Sequence, residues 1–370
     1  MLKQAAGLTV AALLATAPVK IASATPTFSV IATLSYGPVI GAMKGTTLYG
    51  TTPYGGAGNG TLFSVTTKGA YTLLRNFDGG NDGSQPNTGI DLDSSGNVYG
   101  TAAFGGAHGG GTLWEYIVGS GMSTLHAFGA GSDGATPLQG PTHLASGIIF
   151  GSAAGGAINT DGNIWRWLPG GAYSSRHNFL SGPDGHCPFS GVAHSSTGTV
   201  YGTVIGGGWG GLPNGAVWQI TSKNVFSTIY VFKNGNDGGY PDQAPVLDKA
   251  GTTLYGTTHK QNGVEFPGAI WKITAGNFSV LYDLNGATDG FGPNSPLMLN
   301  VDGNLYGTTA NGGPGGAGTV FQITPAGVFK VMHAFTGGAD GGNPTGMLAH
   351  DGKGAIYGGT ASGQVFKIVP

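Results

Sequence analysis

The sequence predicts an all-β, seven-bladed β-propeller with four antiparallel strands per blade, closed by an N-terminal strand that completes the C-terminal blade. Three observations lead there. The composition is rich in glycine yet able to build a core, one short phrase returns seven times at nearly constant spacing, and an orphan strand near the N-terminus matches what the last repeat lacks.

Of the 370 residues, 74 are Gly and 20 are Pro, so about a quarter of the chain punctuates or breaks regular structure. Hydrophobic residues still make up 39% and aromatics 10%, too much core-forming material for a disordered chain. The glycines show no three-residue period, which excludes collagen, and each interior Gly costs a helix about 1 kcal/mol relative to Ala. A chain of short strands and many turns remains.

The repeat fixes the architecture. Its first phrase is LYGTT at 48–52, VYGTA at 98–102, IFGSA at 149–153, VYGTV at 200–204, LYGTT at 254–258, LYGTT at 305–309 and IYGGT at 356–360. The aromatic positions, Tyr49 to Tyr357, are spaced by 50, 51, 51, 54, 51 and 51 residues. A second phrase centres on Phe63, Trp114, Trp165, Trp218, Trp271, Phe321 and Phe366. A third ends at Phe77, Phe128, Phe179, Phe232, Leu284 and Phe335, and its seventh copy is FSVIATL at 28–34, ahead of the first repeat. With a less regular apolar segment before each first phrase (GIDLD at 89–93, LMLNV at 297–301), every repeat holds four strands, A to D. An N-terminal strand that finishes the last repeat closes the ring and removes the open sheet edge, as propellers do and a β-solenoid does not.

Charged residues are only 9% of the chain, the net charge is −2, and 15 basic residues are scattered without a run. That excludes nucleic acid as a partner, because its binding needs clustered Lys and Arg. The single cysteine, Cys187, rules out an intramolecular disulfide and a cysteine-based zinc site and reads as a small buried hydrophobe. Residues 1–24 read as a signal peptide: Lys3, an apolar stretch at 5–17, then Ala22-Ser23-Ala24. A single domain over 25–370 follows. No later stretch approaches the roughly 20 apolar residues of a membrane span, so the expected product is secreted or periplasmic and monomeric, without a membrane span.

The recurring LYGTT, a Gly-Gly, a phrase such as GTVFQI, then LHAF and Asp-Gly followed by Pro resembles the GloVer tandem repeat of exported bacterial proteins, over residues 28–369. Kelch repeats are distantly similar in length and in their Gly-Gly. The resemblance implies an exported repeat protein, often anchored at the cell surface, of a family with no established activity. A C-terminal anchor is missing from the motif set of this sequence.

Because strands alternate in direction, the B–C and D–A loops share one face of the disc. From the first-phrase aromatic to the second-phrase aromatic the distances are 14, 15, 15, 17, 16, 15 and 9, and the D–A distance is 22 or 23 except at the N-terminal junction, Leu34 to Tyr49, where it is 15. The expected face has tall loops at 205–213 and 258–267 and a notch at the seam between last and first repeats, where a polymer fits.

Six junctions carry Asp-Gly before Pro: Asp82, Asp133, Asp184, Asp237, Asp289 and Asp340. Six copies point to loop shaping rather than catalysis, and one Asp per loop does not make a calcium site. His126, His177 and His333 share one D-strand slot and read as packing residues. His194 and His350 take the turn slot of Asp93 and Asp248. His108, His143, His186 and His259 fall off the pattern without zinc spacing, and no metal or cofactor is expected. Residues that break the repeat on the loop face, Trp209, Tyr54, Phe104, His108 and His259, are the candidate ligand-binding set, since exposed aromatic faces suit sugars. The partner expected from them is an extracellular polysaccharide or cell-surface glycan, bound without catalysis. A polysaccharide lyase or glycoside hydrolase on the same face would use His259, Lys260, Glu265 and Asp242. A purely structural surface repeat is the third reading.

Overall fold

The computed structural model describes residues 25–86, 89–156, 161–180, 182, 184–206, 212, 214–259 and 267–370. The segment expected to be a signal peptide lies outside them. The described residues form an all-β propeller, and no helix among them is long and apolar enough to cross a membrane.

Why each repeat makes a sheet is visible in one pairing. The Gly of the first phrase faces the aromatic of the second across the B–C pair: Gly100 with Trp114, Gly151 with Trp165, Gly202 with Trp218, Gly256 with Trp271. The indole lies so close over the B strand that a Cβ on Gly256 would stand 2.2 Å from Trp271 Cζ2. Glycine is required there for close approach. All seven second-phrase aromatics are completely buried, and burying each contributes on the order of 3 kcal/mol.

The C–D pairs carry a β-bulge at one fixed place, before the aromatic, as between Leu113 and Trp114 or Val217 and Trp218. The bulge increases the twist that lets each sheet seat against its neighbour. The D strands are followed directly by Phe77, Phe128, Phe179, Phe232, Leu284 and Phe335, all buried between neighbouring sheets.

Among the described residues the strands form six sheets rather than seven separate ones. Five correspond to single repeats, the second to the sixth. The remaining eight-stranded sheet holds the first repeat (Val39–Lys44, Thr47–Thr52, Thr61–Thr66, Tyr71–Asn76) and the last (Pro344–His350, Ile356–Thr360, Gln364–Val369) together with Thr27–Thr33. Its two halves meet through a parallel pairing at Ile40 and Gly346. The inner strands of these two repeats are six and seven residues long, against two in the second to fifth, which is why these two pair with each other.

The N-terminal exchange expected from the sequence is present. Thr27–Thr33 pairs antiparallel with Gln364–Val369, and its bulge, between Val30 and Ala32, sits where every D strand has one. The inner strands surround a central cavity of about 370 Å³ lined by Ile90, Asp91, Thr142, His194, Leu297 and Met347 among others.

Candidate functional site

The D–A loops do not hang free over the disc. Each is stitched to the B–C loop of its own repeat, and five of the six are also tied among the described residues to that of the next. Between the first and second repeats, Gln85 N–H donates to Asn59 O (2.8 Å), Ser84 and Phe104 exchange backbone bonds (2.8 and 3.2 Å), and Gly106 N–H donates to Gly80 O (2.7 Å). The residue three after each loop Asp has positive φ: Gln85, Thr136, Cys187, Tyr240, Gly292 and Asn343. Its N–H reaches the preceding B–C loop each time, as with Tyr240 to Asn214 O (2.8 Å) and Asn343 to Ala317 O (2.8 Å). Strain at that residue is thus held in place by the stitching on both sides.

The six loop aspartates turn inward. Each accepts the N–H of the residue four before it or a side chain seven before it, and mostly both. Asp289 takes Asn285 N–H (2.9 Å) and Tyr282 OH (3.0 Å), Asp237 takes Lys233 N–H (2.9 Å) and Tyr230 OH (2.8 Å), and Asp82 pairs with Arg75 (2.6 Å). His126, His177 and His333 stand 3.0, 2.9 and 3.1 Å from Asp133, Asp184 and Asp340. The shared histidine slot therefore does more than pack. Burial lowers the pKa of all three imidazoles against the pull of their aspartates.

The ring in that slot also stacks on the D strand of the following repeat: His126 on Tyr173, His177 on Phe226, Tyr230 on Phe278, Tyr282 on Phe329 and His333 on Phe28, with centroids 3.6 to 4.3 Å apart and planes within 6°. The Gly after the loop Asp packs on the next repeat's B and C strands: Gly83 on Ala102 and Thr112, Gly134 on Ala153 and Asn163, Gly290 on Thr309, and Gly341 on Thr360 and Gln364. A Cβ on Gly290 (φ +87) would fall 2.0 Å from Thr309 Oγ1. Thr112 and Thr319 donate to the carbonyls of Asp82 and Asp289 (2.9 and 2.7 Å).

At the seam this whole assembly is missing. Ala32 occupies the slot of the histidines and tyrosines, opposite Val365 as His333 is opposite Val320. The fifteen-residue junction has no Asp-Gly, as its shortness in the sequence requires. What opens is a pocket of about 530 Å³ lined by residues 33–36 and by Thr52, Gly56, Thr61, Tyr71, Leu73 and Asn76. Tyr71 is 47% exposed, and Tyr36, 50% exposed, packs its ring over Gly55 beside Tyr54.

Of the sequence candidates, Tyr54 and Phe104 are exposed at 56% and 44%, and His108 is exposed in the equivalent loop of the second repeat. Trp209, Lys260 and Glu265 lie outside the described residues. The structure does bring Asp242 and His259 together, with Oδ1 and Nε2 3.3 Å apart. His259 Nε2 is nearer to Pro293 O (2.5 Å), and the solvent-shielded Asp242 Oδ1 has no well-formed hydrogen bond. Burial raises the Asp242 pKa, with His259 opposing. His143 stacks on Tyr99 (4.7 Å), and its backbone N–H bonds Asp91, a half-buried carboxyl beside the central cavity whose pKa desolvation raises. Cys187 differs from its expected role: it is half-buried, has φ of 51°, and its Sγ lies 2.9 Å from His186 Nδ1. Its slot explains this, since the residue three after a loop Asp is set by backbone rather than core. Sequence reasoning found the notch but not Tyr36, Tyr71 or the Thr52–Thr61 pair. The signal was available as Ala32 in an otherwise aromatic or basic slot.

A family model described as the Gloeobacter/Verrucomicrobia repeat matches residues 20–213 and again 142–368. No curated protein matches the sequence. Among solved structures, a streptogramin B lyase is similar over 93% of this chain and 97% of its own, at TM-score 0.64 and 16% identity. The extracellular domain of a putative one-component system from B. thetaiotaomicron is similar at TM-score 0.62 and 13% identity, over 92% of this chain, which spans 39% of that one. A computationally designed protein, Ika8, is similar at TM-score 0.54 and 15% identity over 92% of this chain and 99% of its own. At such identities the likeness is one of fold.

Proposed function

The chain belongs to the Gloeobacter/Verrucomicrobia repeat family, and from that premise we propose that it is an exported seven-bladed propeller that binds extracellular or cell-surface glycans through its loop face without turning them over. The count of seven takes the eight-stranded sheet as two blades joined at Ile40 and Gly346. Export rests on the signal-like residues 1–24.

The observation that carries glycan binding is the set of exposed rings on that face, Tyr36, Tyr54 and Phe104, the last fixed by a pair of backbone bonds with Ser84. Rigid, exposed aromatic faces bind with little loss of conformational freedom. A glycan array with the mature chain tests it. Binding to at least one polysaccharide, weakened by Tyr54→Ala or Phe104→Ala, is expected; no binding to any would overturn it.

One observation favours a catalytic reading instead. Asp242 and His259 form a carboxylate–imidazole pair next to the tall loop of the fifth repeat, the arrangement of a base and its orienting group. Product release from a polysaccharide, abolished by His259→Gln, would select that reading.

A further inference from the structure

We propose that the seam pocket is a binding site for a neutral sugar unit, stacked on Tyr71 in the place that a His or Tyr ring of the preceding repeat fills at five of the other six junctions. This rests on the glycan-binding reading and names the subsite and the class of glycan.

The repeat itself supplies the template. At five junctions a His or Tyr ring lies 3.6 to 4.3 Å from the next D-strand ring, in nearly parallel planes. Tyr71 holds the same register position, opposite Val65 as Phe226 is opposite Ile220 and Phe329 opposite Ile323. Its ring packs on Phe63 (5.8 Å) as its counterparts pack on theirs, and the slot that supplies a stacking His or Tyr elsewhere holds Ala32, which carries no ring. Tyr71 is exposed at 47%, whereas Tyr173, Phe226, Phe278, Phe329 and Phe28 are half-buried. A flat, partly apolar group of about one ring's thickness completes the stack.

The polar half of the pocket is set by the missing Asp-Gly loop. Thr52 and Thr61 hydroxyls bond to each other at 2.7 Å, as Thr309 and Thr319 do at 2.9 Å. Thr319 also donates to the Asp289 carbonyl, and no loop brings such an acceptor to Thr61. An incoming hydroxyl or acetamido oxygen takes that position. Thr33, Ser35 and Asn76 add further hydroxyl and amide groups around the rim, and Leu73, the counterpart of Thr124, adds an apolar wall where Thr124 instead bonds the Asn81 carbonyl. No charged side chain lines the pocket. That composition suits a neutral pyranose and disfavours uronates, whose carboxylate would lose water without gaining a cation. The volume of about 530 Å³ lies within the range of small-ligand pockets.

Calorimetric titration of the mature chain with neutral oligosaccharides (glucan, mannan, galactan and chitin fragments) and with polygalacturonate tests the proposal. Binding of a neutral fragment, weakened about tenfold or more by Tyr71→Ala and little by Tyr71→Phe, is expected, since tenfold corresponds to about 1.4 kcal/mol. Ala32→His restores the ring found elsewhere in the repeat. It should block binding as strongly as Tyr71→Ala while leaving the melting temperature unchanged or higher, which separates occlusion from misfolding. If a glycan binds but both variants leave its affinity intact while Phe104→Ala abolishes it, the seam assignment is wrong and glycan binding stands. Preference for polygalacturonate overturns the neutral-sugar class. If no saccharide binds, both readings fall, and capture of a peptide copied from residues 329–344 would assign the pocket to a protein partner.

Discussion

The ring of Phe28 lies 3.6 Å from that of His333, with 6° between their planes. The two residues belong to opposite ends of the chain, and their contact repeats the stack made by neighbouring repeats elsewhere, as His177 makes with Phe226. Phe28 also meets Phe335 and Phe366 at 5.8 and 5.9 Å. It therefore latches the ring rather than merely decorating an edge. Phe28→Ala should lower unfolding free energy by about 3 kcal/mol, the lower end for removing a packed phenyl ring. Urea denaturation checks this, with Ser29→Ala, whose side chain is exposed, as the silent control.

The three histidines bonded to loop aspartates make stability depend on pH. Each has its pKa lowered by burial, with the aspartate opposing, and His108 adds a lowering influence on His126. Below the ordinary histidine value near 6.5 the unfolded chain binds more protons than the folded one, so stability falls as pH drops from about 6.5 through the folded values. Above 6.5 the contribution is complete. Tyr230 and Tyr282 show the substitute the slot accepts, since both keep the bond to Asp and the stack on the next ring. His126→Tyr combined with His333→Tyr should flatten the melting temperature between pH 7 and 5, measured by circular dichroism against the parent.

The strand order and the exchange at the termini were legible because each is written in residues that cannot be replaced cheaply. Gly256 under Trp271 is one such pair, and the orphan FSVIATL is another. The sheet count was not legible, because it depends on a single parallel contact between Ile40 and Gly346, and nothing in the phrase spacing encodes which inner strands are long enough to touch. The loop face was half legible. Loop lengths located the notch, whereas Tyr71 reads in the sequence as an ordinary strand aromatic, and its 47% exposure shows only in the structure, at a seam where Ala32 stands in the ring slot. Asp242 and His259, seventeen positions apart in different loops, meet because the stitching ties His259 N–H to Gly239 O (3.1 Å).

Thr136 is the β-branched member of the positive-φ slot, at φ of 59°. Side chains branched at Cβ are strained there, and the sixth repeat relieves the same position with Gly292. Thr136 N–H still bonds Gly110 O (2.7 Å), which a glycine preserves. Thr136→Gly should stabilise the fold by about 1 kcal/mol, the strain outweighing the extra freedom of glycine in the unfolded chain. Chemical denaturation reads the change directly. A loss of stability would show that the threonine side chain contributes contacts larger than the strain.

Asp242 is poorly satisfied where it sits on the loop face. Its Oδ1 is shielded from water, lacks a well-formed hydrogen bond, and sits 3.3 Å from a His259 nitrogen already turned to Pro293 O. Burial raises its pKa, so the folded chain holds the proton more tightly than the unfolded one. Its destabilisation is absent below the ordinary value of 3.8 and grows as pH rises through the folded value. Asp242→Asn should therefore stabilise the protein at pH 7 by about 1 kcal/mol, the low end of the cost of a buried unpaired polar atom, and the gain should vanish toward pH 3. In parallel, Asp242→Asn and His259→Gln should each weaken glycan affinity, or abolish turnover if the pair is catalytic, while Asp242→Asn raises the melting temperature. Higher stability with unaltered binding and turnover would remove the pair from the functional face.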